Sequence, residues 1–369
     1  MANSNEIIQE ELEGLDNNVG AGEYPLNAVF VRTEQRTVRE TVTRIENKRY
    51  NLTPDFQRDF VWKVDKQSRL IESCLMRIPL PVFYVAQDKE GKIVVVDGLQ
   101  RLTTFFRFLN NEFALKLNNT EVEDAHTLQG KRFKELPLVL QERIEDTQLT
   151  LYILDEKAPE RAKLDIFERV NGGELLTRQQ MRNCLYNGKA TIWLRKMAAD
   201  GLFLRVTGES LNSKTMRDRE AINRFCAFRL LGEEKYKGEM DQFLADALEF
   251  MNKLSDSELE NLTHAFKRSL EYNEKLFGKH AFRKSIINDD EQTSGRSVLN
   301  IALFDVCSVL FSQLEVTSSQ EGLLRQAMIN LLDDEDFIGA ISASTNSTKQ
   351  VLTRFRLARI AFFQGTLTC

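Results

Sequence analysis

All prolines of this 369-residue chain lie within its first 159 residues, at Pro25, Pro54, Pro79, Pro81, Pro137 and Pro159. Proline fits turns, edge strands and first helical turns, but it breaks helix interiors. The proline-containing part is therefore expected to mix strands and loops, and the proline-free remainder is expected to be helical. We predict an α+β chain with an acidic flexible leader at 1–24, a mixed domain at 25–190 and an all-α domain at 191–369.

Composition limits the classes of protein to consider. The hydrophobic content of 42% can fill a sizeable core. No run of 18 apolar residues occurs and the first residues lack a signal-peptide pattern, so we expect a cytoplasmic protein without a membrane partner. The net charge is −5, but residues 1–25 hold six acidic side chains and no Lys or Arg, which leaves +1 on the rest. This balance neither excludes nor favours nucleic acid as a partner.

Cysteine and histidine spacing argues against a metal site built from those residues. The five cysteines are scattered without a C-x-x-C pair, and we expect reduced core or surface thiols. The three histidines, His126, His264 and His280, are too far apart in sequence for a local zinc site or an HNH-type nuclease motif.

Two short apolar runs in the front part predict paired strands. "VFYVA" at 82–86 and "KIVVV" at 92–96 are separated by a loop that contains Gly91. After Val96 the apolar period becomes helical through residue 109, so the strand passes into a helix at Asp97-Gly98. A helix is also predicted in "KQSRLIESCLMR", a strand at 148–154, a helix around 161–170 and a capping box from Thr177 to Gln180. At least five helices are expected after residue 190.

The strand-to-helix corner has the chemistry of an anion site. A helix N-terminus presents backbone N–H groups and the positive end of its dipole. Gly98 permits close backbone approach, Arg101 adds donors suited to phosphate, and Gln100 can orient a water or contact an oxygen. Asp97 is placed to bind a divalent cation or to act as a base. The alternative is an ordinary turn in which Asp97 caps the helix and both neighbours are solvated.

Two other stretches concentrate polar residues. "LTPDFQRDFVW" at 52–62 places Gln57 and Arg58 between aromatic side chains, which either pack in the core or stack on a base. Asn171-Gly172-Gly173 ends the helix predicted at 161–170, where a hinge or a phosphate-sized notch is expected.

Four blocks in this order resemble a known family: "LTPDFQRDFVW", "IPLP", "VVDGLQRLTTFFRFL" and "IFERVNGGELLTRQQMRN". They are similar to the N-terminal domain of GmrSD-type modification-dependent restriction enzymes, a family related to the ParB/sulfiredoxin-like fold. The resemblance spans roughly residues 25–190, and the helical remainder resembles the extension that commonly follows. The family corner is usually D-G-Q-Q-R, and here Leu99, which belongs to the apolar helix face, replaces the first glutamine.

The resemblance implies NTP binding and hydrolysis with Mg²⁺ or Mn²⁺, coupled to recognition or cleavage of foreign, frequently modified DNA. Matched to the family motif, Asp97, Gln100 and Arg101 are the predicted catalytic residues, with Asp97 also the predicted metal ligand. The predicted nucleotide- and phosphate-binding residues are Gln57, Arg58, Gly98, Glu168, Arg169, Asn171 and Gly172.

Three functions remain open at this point. The first is an NTP hydrolase of a bacterial anti-phage or restriction system. The second is a non-catalytic DNA-binding or regulatory subunit that works with a separate nuclease. The protein could form an oligomer in either of these two roles. In the second role the DNA backbone is contacted by four cations near the end of the chain: Lys349, Arg354, Arg356 and Arg359. The alternative is that these residues form a solvated helix face. The third is a metal-dependent DNA nickase that uses the same site as the hydrolase.

Overall fold

The computed structural model of the chain describes residues 31–52, 62–87, 91–117, 125–155, 158, 162–166, 177–287 and 297–364. These residues divide into two compact units, one within residues 23–187 and the other within residues 188–369. The first unit combines a sheet with helices and the second is helical, so the predicted α+β class is confirmed. The ParB-like relationship stays a prediction.

The first unit contains a five-stranded mixed sheet. Its strands are β1 (Val31–Thr37), β2 (Tyr50–Asn51), β3 (Phe83–Gln87), β4 (Ile93–Asp97) and β5 (Gln148–Leu154), in the spatial order β1-β5-β3-β4-β2. Two pairs of neighbouring strands are antiparallel, β1 with β5 and β3 with β4. The other two pairs are parallel, β3 with β5 and β2 with β4. The predicted hairpin and the predicted strand at 148–154 are confirmed.

Seven helices accompany this sheet among the described residues. They are α1 (Val38–Glu46), α2 (Val64–Leu75), α3 (Leu99–Leu109), α4 (Ala125–Leu128), α5 (Leu138–Glu145), α6 (162–166) and α7 (Arg178–Leu185). The predicted helix in 66–77 is α2, and the predicted switch from strand to helix after Val96 produces α3. The predicted capping box is confirmed at the start of α7, where Thr177 and Gln180 exchange side-chain hydrogen bonds with each other's backbone N–H groups.

Both faces of the central strands are buried. Phe83, Val85 and Val95 join the core formed with α1, α2, α3 and α5. On the alternate positions, Val94 and Val96 are also buried, and α7 contacts β4. A strand with two covered faces reads as a continuous apolar run, which is the pattern of "IVVV".

β1 and α1 are elements that the sequence pattern did not predict. β1 is one of the two edge strands of the described sheet, and most of its residues are solvent-exposed. Its charged residues alternate as Arg32, Glu34 and Arg36, and Glu34 forms ion pairs with both arginines. An edge strand of this kind lacks the apolar alternation by which strands are recognised in a sequence.

The second unit consists of nine helices among its described residues. They are α8 (Lys189–Ala198), α9 (Gly201–Thr207), α10 (Arg217–Leu231), α11 (Met240–Asn252), α12 (Asp256–Phe277), α13 (Ile301–Phe311), α14 (Glu321–Asp333), α15 (Glu335–Ser342) and α16 (Thr348–Arg359). Every residue of α13 is buried, and α10, α12 and α16 pack against it. In the described ranges, no helix combines the length and the apolar character needed to cross a membrane.

The described cysteines are free and buried: Cys74, Cys184, Cys226 and Cys307. Burial raises the pKa of the Cys74 thiol, and likewise that of Cys307, to about 12. These thiols are packing residues, as the scattered spacing predicted.

A charged triad lies in the core of the helical unit. Asp305 of α13 accepts hydrogen bonds from Arg224 Nε on α10 at 2.9 Å and from Arg354 Nη2 on α16 at 2.9 Å. All three side chains are buried. Burial, with the repulsion of Arg224, lowers the pKa of Arg354 to about 10 although Asp305 opposes the shift. One carboxylate therefore joins three helices and offsets two buried positive charges.

We expect the substitution Asp305→Asn to destabilise the helical unit by about 3–5 kcal/mol, because it removes the carboxylate with which two buried guanidinium groups pair. The chain has two tryptophans, and Trp193 is the one in this unit. Urea unfolding followed by the fluorescence of Trp193, in a Trp62→Phe background, measures the effect.

Glu274→Gln is the matched control, because Glu274 pairs with the exposed Arg205 on the surface of the same unit. Exposed ion pairs contribute little to stability, so this variant should unfold close to the parent protein. Equal unfolding midpoints for the two variants would contradict a central role for Asp305.

Candidate functional site

The corner between β4 and α3 is built around a glycine that no other residue can replace without a clash. Gly98 is the N-cap of α3 and has φ +101°, in the left-handed region. A Cβ atom at this position would lie 2.4 Å from Cδ1 of Phe83. Because Gly98, not Asp97, is the N-cap residue, the alternative in which Asp97 caps the helix is wrong.

Asp97 sits at an irregularity in the β3–β4 pairing. Tyr84 lies opposite Asp97 and Val85 lies opposite Val95, so Val96 is an extra residue on β4. Bulges of this kind redirect side chains and are frequent next to functional sites. The Asp97 side chain is 40% exposed, although the four preceding residues are buried. The bulge thus coincides with the place where the buried strand ends in an accessible carboxylate.

Arg101 holds Asp97 in place. Its Nη2 donates to Asp97 Oδ2 at 2.8 Å and to the Val82 carbonyl at 3.1 Å, and its Nη1 donates to the Pro81 carbonyl. The guanidinium carbon lies 4.2 Å from the centroid of the Phe83 ring, a cation–π geometry. Burial lowers the pKa of Arg101, and the Asp97 carboxylate opposes that shift.

Arg101 is only 11% exposed, so the alternative in which it is a solvated surface residue is wrong. Several of its donors are already used by Asp97, Pro81 and Val82. In this structure it acts as a positioning residue for Asp97. Its predicted catalytic and phosphate-contacting role stays a prediction.

Gln100 makes a second connection from the corner, to the start of α2. Its Oε1 accepts a hydrogen bond from the backbone N–H of Trp62 at 3.3 Å. The carbonyl of Trp62 in turn accepts a hydrogen bond from Nε2 of the buried Gln67 at 2.8 Å. Leu99 packs against the core, as expected for the apolar face of α3. The corner therefore fixes the backbone of Trp62 as well as the carboxylate of Asp97.

An open cleft of about 560 Å³ adjoins this corner. α2 forms one side of it, the segment 78–81 forms the other, and Arg101 lies at its edge. Lys66 lies over the Trp62 ring, with Nζ 4.6 Å from the ring centroid, and Arg69 is exposed one turn further along α2. Sequence reasoning singled out Trp62 but missed both cations. Their i, i+3 spacing on the polar side of α2 is the signal that marks them.

The remaining predicted residues of the front site lie outside the described residues. Gln57 and Arg58 fall in 53–61, and Glu168, Arg169, Asn171 and Gly172 fall in 167–176. Within the ranges that the structure does describe, no three His, Cys, Asp or Glu side chains come together as a metal site. Asp97 therefore belongs to no such cluster among the described residues, and a cation bound there would take further oxygens from substrate, water or other residues.

The four cations predicted to contact DNA lie on α16 of the helical unit and differ in exposure. Lys349 and Arg356 are exposed. Arg354 is fully buried against Asp305 and is a structural residue rather than a DNA contact. Arg359 forms a two-pronged ion pair with Glu233, at 2.8 and 3.1 Å. The four cations therefore divide into two that are exposed and two that stabilise the fold.

Comparison with known proteins supports the resemblance found in the sequence. Residues 38–187 match the family model described as the N-terminal domain of the GmrSD restriction endonuclease. This part of the chain is a GmrSD-type N-terminal domain, which indicates a protein of a restriction system. A comparison with curated proteins finds no match to the chain.

The substitution Gly98→Ala is expected to destabilise the first unit strongly, because it adds a contact with Phe83 to the strain of a left-handed backbone. Gly130→Ala is the matched control, since Gly130 has φ +77° but open space around its Cβ position. We expect about 1–2 kcal/mol for the control and roughly 1–3 kcal/mol more for Gly98→Ala.

Urea unfolding followed by Trp62 fluorescence, in a Trp193→Phe background, compares the two variants. Equal losses would mean that Phe83 moves aside at little cost and that the corner is less constrained than its geometry indicates.

Proposed function

We propose that this chain, whose residues 38–187 are a GmrSD-type N-terminal domain, binds and hydrolyses a nucleoside triphosphate with a divalent cation. The activity serves a restriction system that acts on foreign DNA. The observation that carries the proposal is the placement of Asp97. It is an accessible carboxylate at the end of a buried strand, directly before a helix N-terminus, and an arginine from that helix fixes it.

The helix start supplies the positive potential for the phosphates. α3 has 11 residues, and its first-turn N–H groups and dipole favour an anion at the corner beside Gly98. Gly98 supplies the left-handed backbone with which this helix starts, and the Phe83 ring fills the space at its Cβ position. Gln57, Arg58, Glu168, Arg169, Asn171 and Gly172 are proposed to complete the phosphate contacts, as the family resemblance implies.

Asp97 is proposed to bind Mg²⁺ or Mn²⁺. Mg²⁺ typically uses one or two carboxylates and takes its other ligands from phosphates and waters, so one protein carboxylate is sufficient here. The cation would neutralise phosphate charge and lower the barrier to attack by water. Arg101 keeps the carboxylate in position, and Gln100 contributes by holding the neighbouring Trp62 backbone.

The first test is phosphate release from each of the four NTPs with Mg²⁺, with and without unmodified and modified DNA. We expect Asp97→Asn to reduce turnover at least about 100-fold, because the cation loses its anionic protein ligand. A Mn²⁺ titration of the variant shows whether a softer cation restores part of the rate.

Glu112→Gln provides the matched control. Glu112 pairs with Arg107 near the other end of α3, at 3.0 Å, and its side chain is about as exposed to solvent as that of Asp97. Its substitution removes one carboxylate and one ion pair without touching the corner, so turnover should stay at the wild-type level. Turnover unchanged in Asp97→Asn would eliminate the proposed site.

A non-catalytic DNA-binding role, with a separate nuclease as partner, is the second candidate. Lys349 and Arg356 are exposed on α16, and their exposure supports a DNA-binding role. Replacing both by Ala should weaken DNA binding and reduce its salt dependence if they contact phosphates. DNA binding that is steeply salt-dependent, together with no turnover of any NTP by the wild-type protein, would favour this second role over hydrolysis.

A further inference from the structure

We propose that the cleft between α2 and the segment 78–81 holds the nucleoside part of the nucleotide, with Trp62 as its aromatic wall. Gln100 and Arg101 are its positioning residues. This inference rests on the proposed function, since it names the part of the substrate that lies next to the phosphates at Asp97. It assigns a structural reason to two consecutive polar residues at the start of α3.

Each of these two residues holds one wall of the cleft. Oε1 of Gln100 accepts a hydrogen bond from the backbone N–H of Trp62 at 3.3 Å, and Trp62 is the first residue of the α2 wall. Arg101 donates to the carbonyls of Pro81 and Val82, which end the opposite wall. Because both residues belong to the first turn of one helix, the width of the cleft is set by the same element that presents the phosphate site.

The lining suits a base and a sugar. The wall at 78–81 is apolar and contains two prolines, and Leu70 contributes to the floor. Trp62 contributes its aromatic ring, over which the Lys66 side chain lies, and a stacked base would take the place of that side chain. Stacking on an aromatic side chain is tolerant of which base is bound. The volume of about 560 Å³ lies in the range of pockets that hold small ligands. An isolated phosphate or a metal ion would leave most of such a space unfilled.

The charges of the cleft favour an anionic ligand. Lys66 and Arg69 project from α2, and no ion pair for either occurs among the described residues. The neighbouring Asp65 is neutralised by Lys116, at 2.8 Å. Arg101 lines the cleft and also donates to Asp97 Oδ2 at 2.8 Å, so one side chain belongs to both the cleft and the Asp97 corner. A nucleotide has this combination of one flat apolar end and one anionic end.

The proposal is tested by Trp62 fluorescence in a Trp193→Phe variant, which leaves Trp62 as the remaining tryptophan. Each NTP is titrated with Mg²⁺, and tripolyphosphate, which has no base or sugar, serves as the comparison. We expect quenching by at least one NTP and none by tripolyphosphate, although tripolyphosphate displaces the bound NTP. An absence of quenching by all four NTPs under conditions where they bind would overturn the proposal.

Kinetics provide a second measurement that a merely structural role would not reproduce. Trp62→Leu is expected to raise the KM for the NTP about tenfold, the loss of one stacked base, with less than about a threefold change in kcat. Inhibition by tripolyphosphate should be the same in both proteins, and Trp62→Phe should restore most of the lost affinity. Equal KM values for Trp62→Leu and wild type would contradict the assignment.

The matched control is Lys63→Ala, because Lys63 is an exposed cation next to Trp62 that does not line the cleft. We expect Lys66→Ala with Arg69→Ala to raise KM several-fold and Lys63→Ala to leave it unchanged. If single-stranded DNA quenches Trp62 and no NTP displaces it, the cleft is a DNA site and the nucleoside assignment is wrong.

The experiment separates this inference from the proposed function. Loss of turnover in Asp97→Asn, combined with an unresponsive Trp62, leaves the hydrolase proposal standing and places the nucleoside elsewhere. Quenching of Trp62 by an NTP that is never hydrolysed has the opposite meaning: the cleft is correct, and the site is a nucleotide sensor.

Discussion

The guanidinium group of Arg101 is the interaction on which the front site depends. It contacts a carboxylate, two backbone carbonyls and an aromatic ring, which come from two different parts of the chain, Asp97 and residues 81–83. A lysine at this position could not satisfy all of these partners, because an ammonium group lacks the planar fork of donors. The end of β4, the loop before β3 and the first turn of α3 are therefore held together by a single side chain.

The strand and the helix that carry Asp97 and Arg101 are well packed, which fixes the geometry of this contact. β4 is buried on both faces, and α3 packs Leu102, Phe105 and Phe108 into the core. A site carried by such elements keeps its side chains in place better than one on a loop. In the helical unit, the ion pairs of Asp305 with two buried arginines hold three helices together. In each unit, an arginine that pairs with a carboxylate thus helps to join segments that are separate in the chain.

Much of the corner was predictable, because its signals are local. The change of apolar period after Val96 and the glycine before the helix led to the correct positions of β4 and α3, and the strand at 148–154 was predicted to the residue. What the pattern could not show is which partner a polar side chain chooses. Arg101 has the same sequence context whether it binds phosphate or Asp97, and Arg354 reads as a surface cation although it is buried. The contacts that bury these side chains include residues distant in sequence: Val82 lies 19 positions from Arg101, and Asp305 lies 49 positions from Arg354.

The charged edge of the sheet has a consequence for how this protein meets others. β1 ends the described sheet with alternating charges on Arg32, Glu34 and Arg36, and Glu34 pairs with both arginines. Charged side chains on an edge discourage a foreign strand from adding to the sheet. An assembly partner is therefore more readily accommodated through side-chain surfaces than through backbone hydrogen bonds along β1. That restriction protects a mixed sheet from joining its own copies edge to edge.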